Sequence, residues 1–205
     1  KPFGIGVIGT TETVSALNRD YVYDYFKKNY GTENYIVVIV GNADFDKICD
    51  YLEKNFEKSK VKLSPKKPKM VNNDSREERK GIDQANLVLA FHSPLSTDKK
   101  VYAAKVLVAL LAHGMSSRLF REVRDKRNLA YSIFGDVNAN KHFSYSYIYA
   151  GAMKENIEKI KKIILGEFKK LSKKLPKKEF EETKNQLIGN YRISMENSES
   201  QMNQL

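Results

Sequence analysis

The sequence predicts an α+β fold in which helices cover one face of an antiparallel-rich sheet. Three observations carry that expectation. Apolar residues recur at helical spacing in several segments, short β-branched or aromatic runs stand between them, and two of those runs adjoin across a polar turn. Strands and helices grouped in this way form a sheet with its helices on one side. The 205 residues suffice for one large domain, or for one domain plus part of another.

In chain order, the first helix spans Leu17 to Tyr30, with Asn18-Arg19-Asp20 as its cap region and Tyr21, Val22, Tyr25 and Phe26 as its apolar stripe. Tyr35 to Val40 is a continuous β-branched run ended by Gly41, which predicts a buried strand. Asn42-Ala43-Asp44 then caps a second helix that carries Ile48, Tyr51, Leu52 and Phe56 on one side. Residues 1–58, with the order helix, strand, helix over 17–58, therefore read as a first segment ahead of a linker. Residues 59–81 are polar and proline-bearing, a composition that builds linkers rather than cores.

Residues 82–205 read as a second domain. Gln84 to His92 is a strand, Lys99 to Leu111 a strongly apolar helix, and His113-Gly114 its stop, where glycine offers the left-handed conformation. A further helix is expected from Ser116-Ser117 to Lys126, ended by Asn128. Strands over Ala130–Val137 and Phe143–Ala150 flank the turn Asn138-Ala139-Asn140-Lys141, a hairpin signature. Tyr145, Tyr147 and Tyr149 share one face of the second strand, and this row reads as packing rather than as a platform for bases. Asn156 to Ser172 has clean helical spacing, and Pro176 restarts a helix that reaches at least Ile193.

Composition closes off several functions. A single cysteine, Cys49, excludes an intrachain disulfide and a multi-cysteine metal cluster, and it reads as a buried apolar filler. The net charge of +11 raises nucleic acid as an alternative partner, but lysine pairs such as Lys161–Lys162, Lys169–Lys170 and Lys173–Lys174 fall between apolar helix positions, as on a solvated face. No apolar run approaches the roughly 20 residues of a membrane-spanning helix. The opening KPFGIGVIGTTET lacks the features of a secretory signal and reads as the start of an excised or processed piece, with the compartment left open and the cytoplasm favoured.

Chemistry is likewise constrained. His92, His113 and His142 share no helical turn, and neither H-E-x-x-H nor H-x-x-E-H is present, so this chain alone is not expected to bind a metal. Nothing around Ser116, Ser117 or Cys49 forms a nucleophile elbow, and Gly4, Gly6 and Gly9 are spaced wrongly for a dinucleotide loop.

One run stands out: Gly114-Met115-Ser116-Ser117-Arg118-Leu119-Phe120-Arg121-Glu122-Val123-Arg124, then Leu129, Tyr131 and Ser132 at fixed spacing. It resembles the signature of pitrilysin-type (M16) zinc peptidases and their non-catalytic relatives. Gly9-Thr10, Asn18-Arg19-Asp20, Gly41-Asn42-Ala43-Asp44, Glu179-Phe180 and Lys184-Asn185-Gln186-Leu187 extend the likeness over nearly the whole chain.

The resemblance implies one half of an M16 protein, with a truncated first domain and a complete or near-complete second one. It implies zinc in a partner domain, none bound here, and a partner that bears H-x-x-E-H in the same polypeptide or a second chain. Peptides would be the substrates, with Arg124 and Tyr131 reaching toward the partner's site: a guanidinium can hold a backbone carbonyl, and a phenol can donate to an oxyanion. The plainer reading stays beside it, with Arg124 paired to Glu122 or Asp125 and Tyr131 merely opening a strand. Gly114, Ser117 and Arg118 form a structural motif in which Arg118 makes a hydrogen bond near a helix start. The expected function is a non-catalytic, substrate-enclosing domain of a zinc metallopeptidase. A scaffold of the same fold and a basic nucleic-acid-binding domain are the alternatives.

Overall fold

A computed structural model of the chain describes residues 6–59, 61 and 68–204. What the sequence predicts for residues 1–5, and for residues 60 and 62–67 of the linker over 59–81, lies outside the described residues. The chain divides into two units, Lys1–Lys69 with Arg192–Leu205, and Met70–Tyr191.

In the first unit the local signals produce helices. Asn18 accepts from the Tyr21 N–H at 2.9 Å and opens α2 (Arg19–Asn29), after a short α1 (Thr11–Ser15) that sequence spacing does not reveal. Asp44 accepts from the Lys47 N–H at 3.2 Å and opens α3 (Phe45–Asn55). Each cap satisfies a helix-end donor that has no intrahelical partner.

Burial does not follow. Tyr21 on α2 is 61% exposed, and Ile36 in the β-branched run is 87% exposed. The expected strand over Tyr35–Val40 is corrected: the segment forms no ladder with another described strand. A strand is completed by a neighbour's N–H and C=O groups, and the apolar run cannot provide that neighbour itself. Cys49 is also corrected, being half-buried rather than buried. Tertiary order in this unit is mostly polar stitching. Thr32 Oγ1 donates to the Glu57 carbonyl at 2.8 Å and accepts from the Ser59 N–H at 3.0 Å, while Asn34 Nδ2 donates to the Val61 carbonyl at 2.7 Å.

The second unit has a core. Its antiparallel sheet runs β1 (Ala85–His92), β3 (Ser144–Ala152), β2 (Ser132–Ala139), with β3 central. The predicted hairpin is present, each strand lying one or two residues later than expected. On one face Ile133, Ile148, Ala150 and Ala152 are buried with Val108, Leu111 and Ala112 of α4 (Val101–Ala112) and Ile160 and Ile164 of α5 (Ile157–Lys173). Leu119, Val123 and Leu129 from the signature run join the same cluster. The mixture of helices and antiparallel sheet agrees with the expected fold class.

The other face is open. It consists of even-numbered positions of β1 and β2 and odd-numbered positions of β3, as the register requires. α6 (Lys177–Ser194) is the helix expected after Pro176, and α7 (Ser198–Gln204) lies in the stretch that belongs to the first unit. No helix among the described residues is long and apolar enough to cross a membrane.

Candidate functional site

The signature run begins where α4 ends. Gly114 has φ +81°, a left-handed conformation that admits glycine without strain, and a Cβ there would also press on the Gln186 amide at 3.3 Å. Ser117 is buried, and its hydroxyl donates to the Gly114 carbonyl at 2.7 Å. Together these residues turn the chain from α4 into the next helical segment.

That segment corrects an expectation. Phe120–Asp125 is a π-helical turn rather than an α-helix, closed by the Lys126 N–H donating to the Arg121 carbonyl five residues back at 2.9 Å. Single π-turns are rare and occur frequently at functional sites. Asn128, at φ 49°, ends the segment as expected. The Leu129 N–H then donates to the Val123 carbonyl at 2.9 Å, and the Tyr131 N–H to the Gly151 carbonyl of β3 at 2.8 Å. Main-chain bonds therefore fix the backbone on both sides of the interval from Arg124 to Tyr131, and Leu129 plugs it into the core.

Arg118 lies on the inner side of this segment. Its guanidinium forks onto Glu179 of α6, with Nε to Oε1 at 2.6 Å and Nη2 to Oε2 at 2.5 Å, and Nη1 reaches Glu167 of α5 at 3.3 Å. Lys170 closes on Glu167 at 2.6 Å. The side chains of Arg118 and Glu167 are only 15% and 6% exposed, so these charges hold one another in a poorly solvated place. Arg118 holds the Glu179 carboxyl below its ordinary range, and Glu179 in turn raises the guanidinium. The sequence marked Arg118 as structural but missed Glu167. Its place on the same helix stripe as Ile160 and Ile164, at i, i+4, i+7 spacing, was the available signal.

Arg124 and Tyr131 lie on the outer side. The Arg124 guanidinium stacks over the Phe120 ring at 5.0 Å, and Tyr131 is 56% exposed. The alternative pairing of Arg124 with Glu122 or Asp125 is not formed. Glu122 binds Lys126 and Arg127, each at 2.6 Å, and these two, Lys126 foremost, pull its carboxyl down to about 2. Among the described residues no carboxylate pairs with Arg124. Two recesses open beside Glu179, one of about 290 Å³ lined by Ser117 and one of about 580 Å³ lined by Arg118, and neither is lined by Arg124 or Tyr131.

The histidines stay apart. The His92 Nε2 lies 3.1 Å from Asn72 Oδ1, His113 follows α4, and His142 lies in the hairpin turn. Among the described residues no group of three or more His, Cys, Asp or Glu could hold a metal ion, so these donors do not fit a zinc site.

A family model described as the peptidase M16 inactive domain matches residues 16–187. An uncharacterized zinc protease of Rickettsia bellii is 28% identical, covering 96% of this chain and 48% of its own length. One of Streptomyces coelicolor is 29% identical, covering 98% and 46%. The chain thus spans about half the length of these curated relatives. Among solved structures, a protease from Helicobacter pylori superposes with a TM-score of 0.80 at 23% identity, over 94% of this chain and 49% of that one. A chain of complex III2 from Candida albicans gives 0.81 at 20% identity, over 98% and 50%. At those identities the likeness is one of fold.

Proposed function

Because this chain belongs to the peptidase M16 inactive-domain family, we propose that it encloses and positions peptide substrates for a catalytic M16 domain that bears H-x-x-E-H, on the same polypeptide or a partner chain. The observation that carries the reading is the two-sided build of residues 114–131. Arg118, Leu119, Val123 and Leu129 anchor the segment inward, while Arg124 and Tyr131 stand exposed and away from the recesses of this unit. Anchored backbone with outward polar ends suits groups that meet a substrate held by another surface, since preorganised donors act without reorganising.

In this role the Arg124 guanidinium donates to a backbone carbonyl of the peptide and holds its register. The Tyr131 phenol donates to the oxyanion that forms when water adds to the scissile carbonyl. Donation to that oxyanion is strongest in the transition state, so it acts on turnover rather than on binding. The zinc expected of such enzymes belongs to the partner's residues in this reading.

The test uses the chain alone and then mixed with an H-x-x-E-H half. Alone it should hold no stoichiometric zinc and cleave no peptide, and the mixture should cleave. Robust cleavage by the chain alone would overturn the reading. A mixture that assembles without cleaving would favour the scaffold reading, for which the likeness to the complex III2 chain supplies the fold alone.

A further inference from the structure

The open face of the sheet carries a feature that the signature run does not explain. Phe143, Tyr145, Tyr147, Phe134 and Tyr149 form a continuous chain of rings across it, with successive centroids 6.5, 6.3, 6.3 and 4.8 Å apart. The hydroxyls of the two outer tyrosines are engaged: Tyr149 donates to Asn86 Oδ1 at 2.6 Å, and Tyr145 accepts from Asn138 Nδ2 at 3.2 Å. Phe134 remains 45% exposed. The row expected to be packing therefore packs ring against ring, with Phe134 and Tyr145 its exposed members.

Charge on this face is sparse and of one sign. Of its positions, 86–92 on β1, 132–138 on β2 and 145–151 on β3, only Asp136 carries an acidic or basic side chain other than histidine, in a chain of net charge +11. Asp136 stands directly across the ladder from Tyr147, whose other neighbour, Ala90, is a methyl group. The Asp136 Oδ1 accepts only from the N–H of the next residue, Val137, at 2.7 Å, and among the described residues no cation pairs with it. A half-buried ring beside the exposed Phe134, with a carboxylate on one flank and a small residue on the other, is complementary to a long cationic side chain.

We propose that this face binds an extended peptide through an arginine or lysine side chain that lies over Tyr147 and Phe134 and pairs with Asp136. The proposal rests on the reading that the chain encloses peptides, and it names the class of peptide. Flanking apolar side chains would lie on Val88 and the outer rings. A nucleic acid does not suit the face, because phosphates need cations there and it offers a carboxylate instead.

The probe is a blocked peptide of alternating valine and threonine with one central arginine, compared by calorimetric titration with a twin that carries citrulline in its place. The 205-residue chain should bind the arginine peptide about tenfold more tightly than the twin. Asp136→Asn should remove most of that preference, and Asp136→Lys should transfer it to a peptide with central glutamate. Tyr147→Leu should weaken the arginine peptide and leave the chain folded by circular dichroism. Equal affinity for arginine and citrulline, no binding of either, or preference unchanged in both Asp136 variants would each overturn the proposal. So would concentration-dependent self-association that Asp136→Lys abolishes, since a second copy would then be the occupant. Peptide cleavage by the chain mixed with an H-x-x-E-H half reports on the enclosing role separately, so peptide capture without a cation preference would sink this inference and spare that reading.

Discussion

The two units contain equally well-formed helices with opposite fates. In the first, α2 and α3 are capped by Asn18 and Asp44, yet Tyr21, Tyr25, Phe45 and Tyr51 stay exposed. In the second, α4 and α5 bury Leu111, Ile160 and Ile164 completely or nearly so against a three-stranded ladder. Local sequence sets a helix in both places, but burial needs a packing partner, and in the second unit that partner is the sheet. Most helical stability in proteins comes from packing an apolar face rather than from propensity. The described part of the first unit has no such ladder, and its apolar stripes stay largely exposed.

That contrast can be broken most sharply at Arg118. Arg118→Ala leaves Glu167 and Glu179 poorly solvated and without their guanidinium, and should cost the second unit about 3–5 kcal/mol in urea unfolding. A loss below about 1 kcal/mol would show that the ion cluster does not hold α5 and α6 to the signature segment.

Core truncation comes next. Leu119→Ala should cost about 2–5 kcal/mol, whereas Tyr21→Ala on the exposed face of α2 should stay within about 0.5 kcal/mol. Similar losses at both sites would mean that the first unit is packed after all.

A smaller effect tests the local level. Asp44→Ala should cost about 1 kcal/mol of α3 stability, read as faster amide exchange in Phe45–Asn55 and no change in β3. Loss of protection in β3 as well would couple the units energetically.

The mildest test is acid. Glu122 sits at about 2 when folded, against 4.5 ordinarily, because Lys126 and Arg127 favour its ionised form. A depressed carboxyl contributes stability above its unfolded value and loses it as pH falls through the folded one, so this contribution should fade between about 4.5 and about 2. Glu122→Gln should flatten that part of the stability profile. An unchanged profile would remove the Glu122 pairs from the account.

What was legible in the sequence was what is local. Caps at Asn18 and Asp44, the stop at Gly114 and Asn128, and the periodicity of Ile157 to Leu171 each depend on a few adjacent residues. Pairing is not local, so the run from Tyr35 to Val40 announced a strand while saying nothing of a neighbour. The π-turn over Phe120–Asp125 escaped for a related reason: a bond five residues back differs from one four back by packing, not by residue preference. The site divides in the same way. Motif spacing picked out Arg118, Arg124 and Tyr131, but the partners of Arg118 lie 49 and 61 residues further along the chain, beyond any local pattern. Asp136 and its ring neighbours belong together only through cross-strand register.

The central claim is that residues anchored on one side present Arg124 and Tyr131 on the other to a substrate held by a catalytic half. The direct measurement is steady-state cleavage by this chain assembled with an H-x-x-E-H half, comparing wild type with Tyr131→Phe. The account predicts a fall in kcat of about 10²-fold with KM little changed, as for loss of one oxyanion donor. An unchanged kcat in a complex that assembles normally would contradict it.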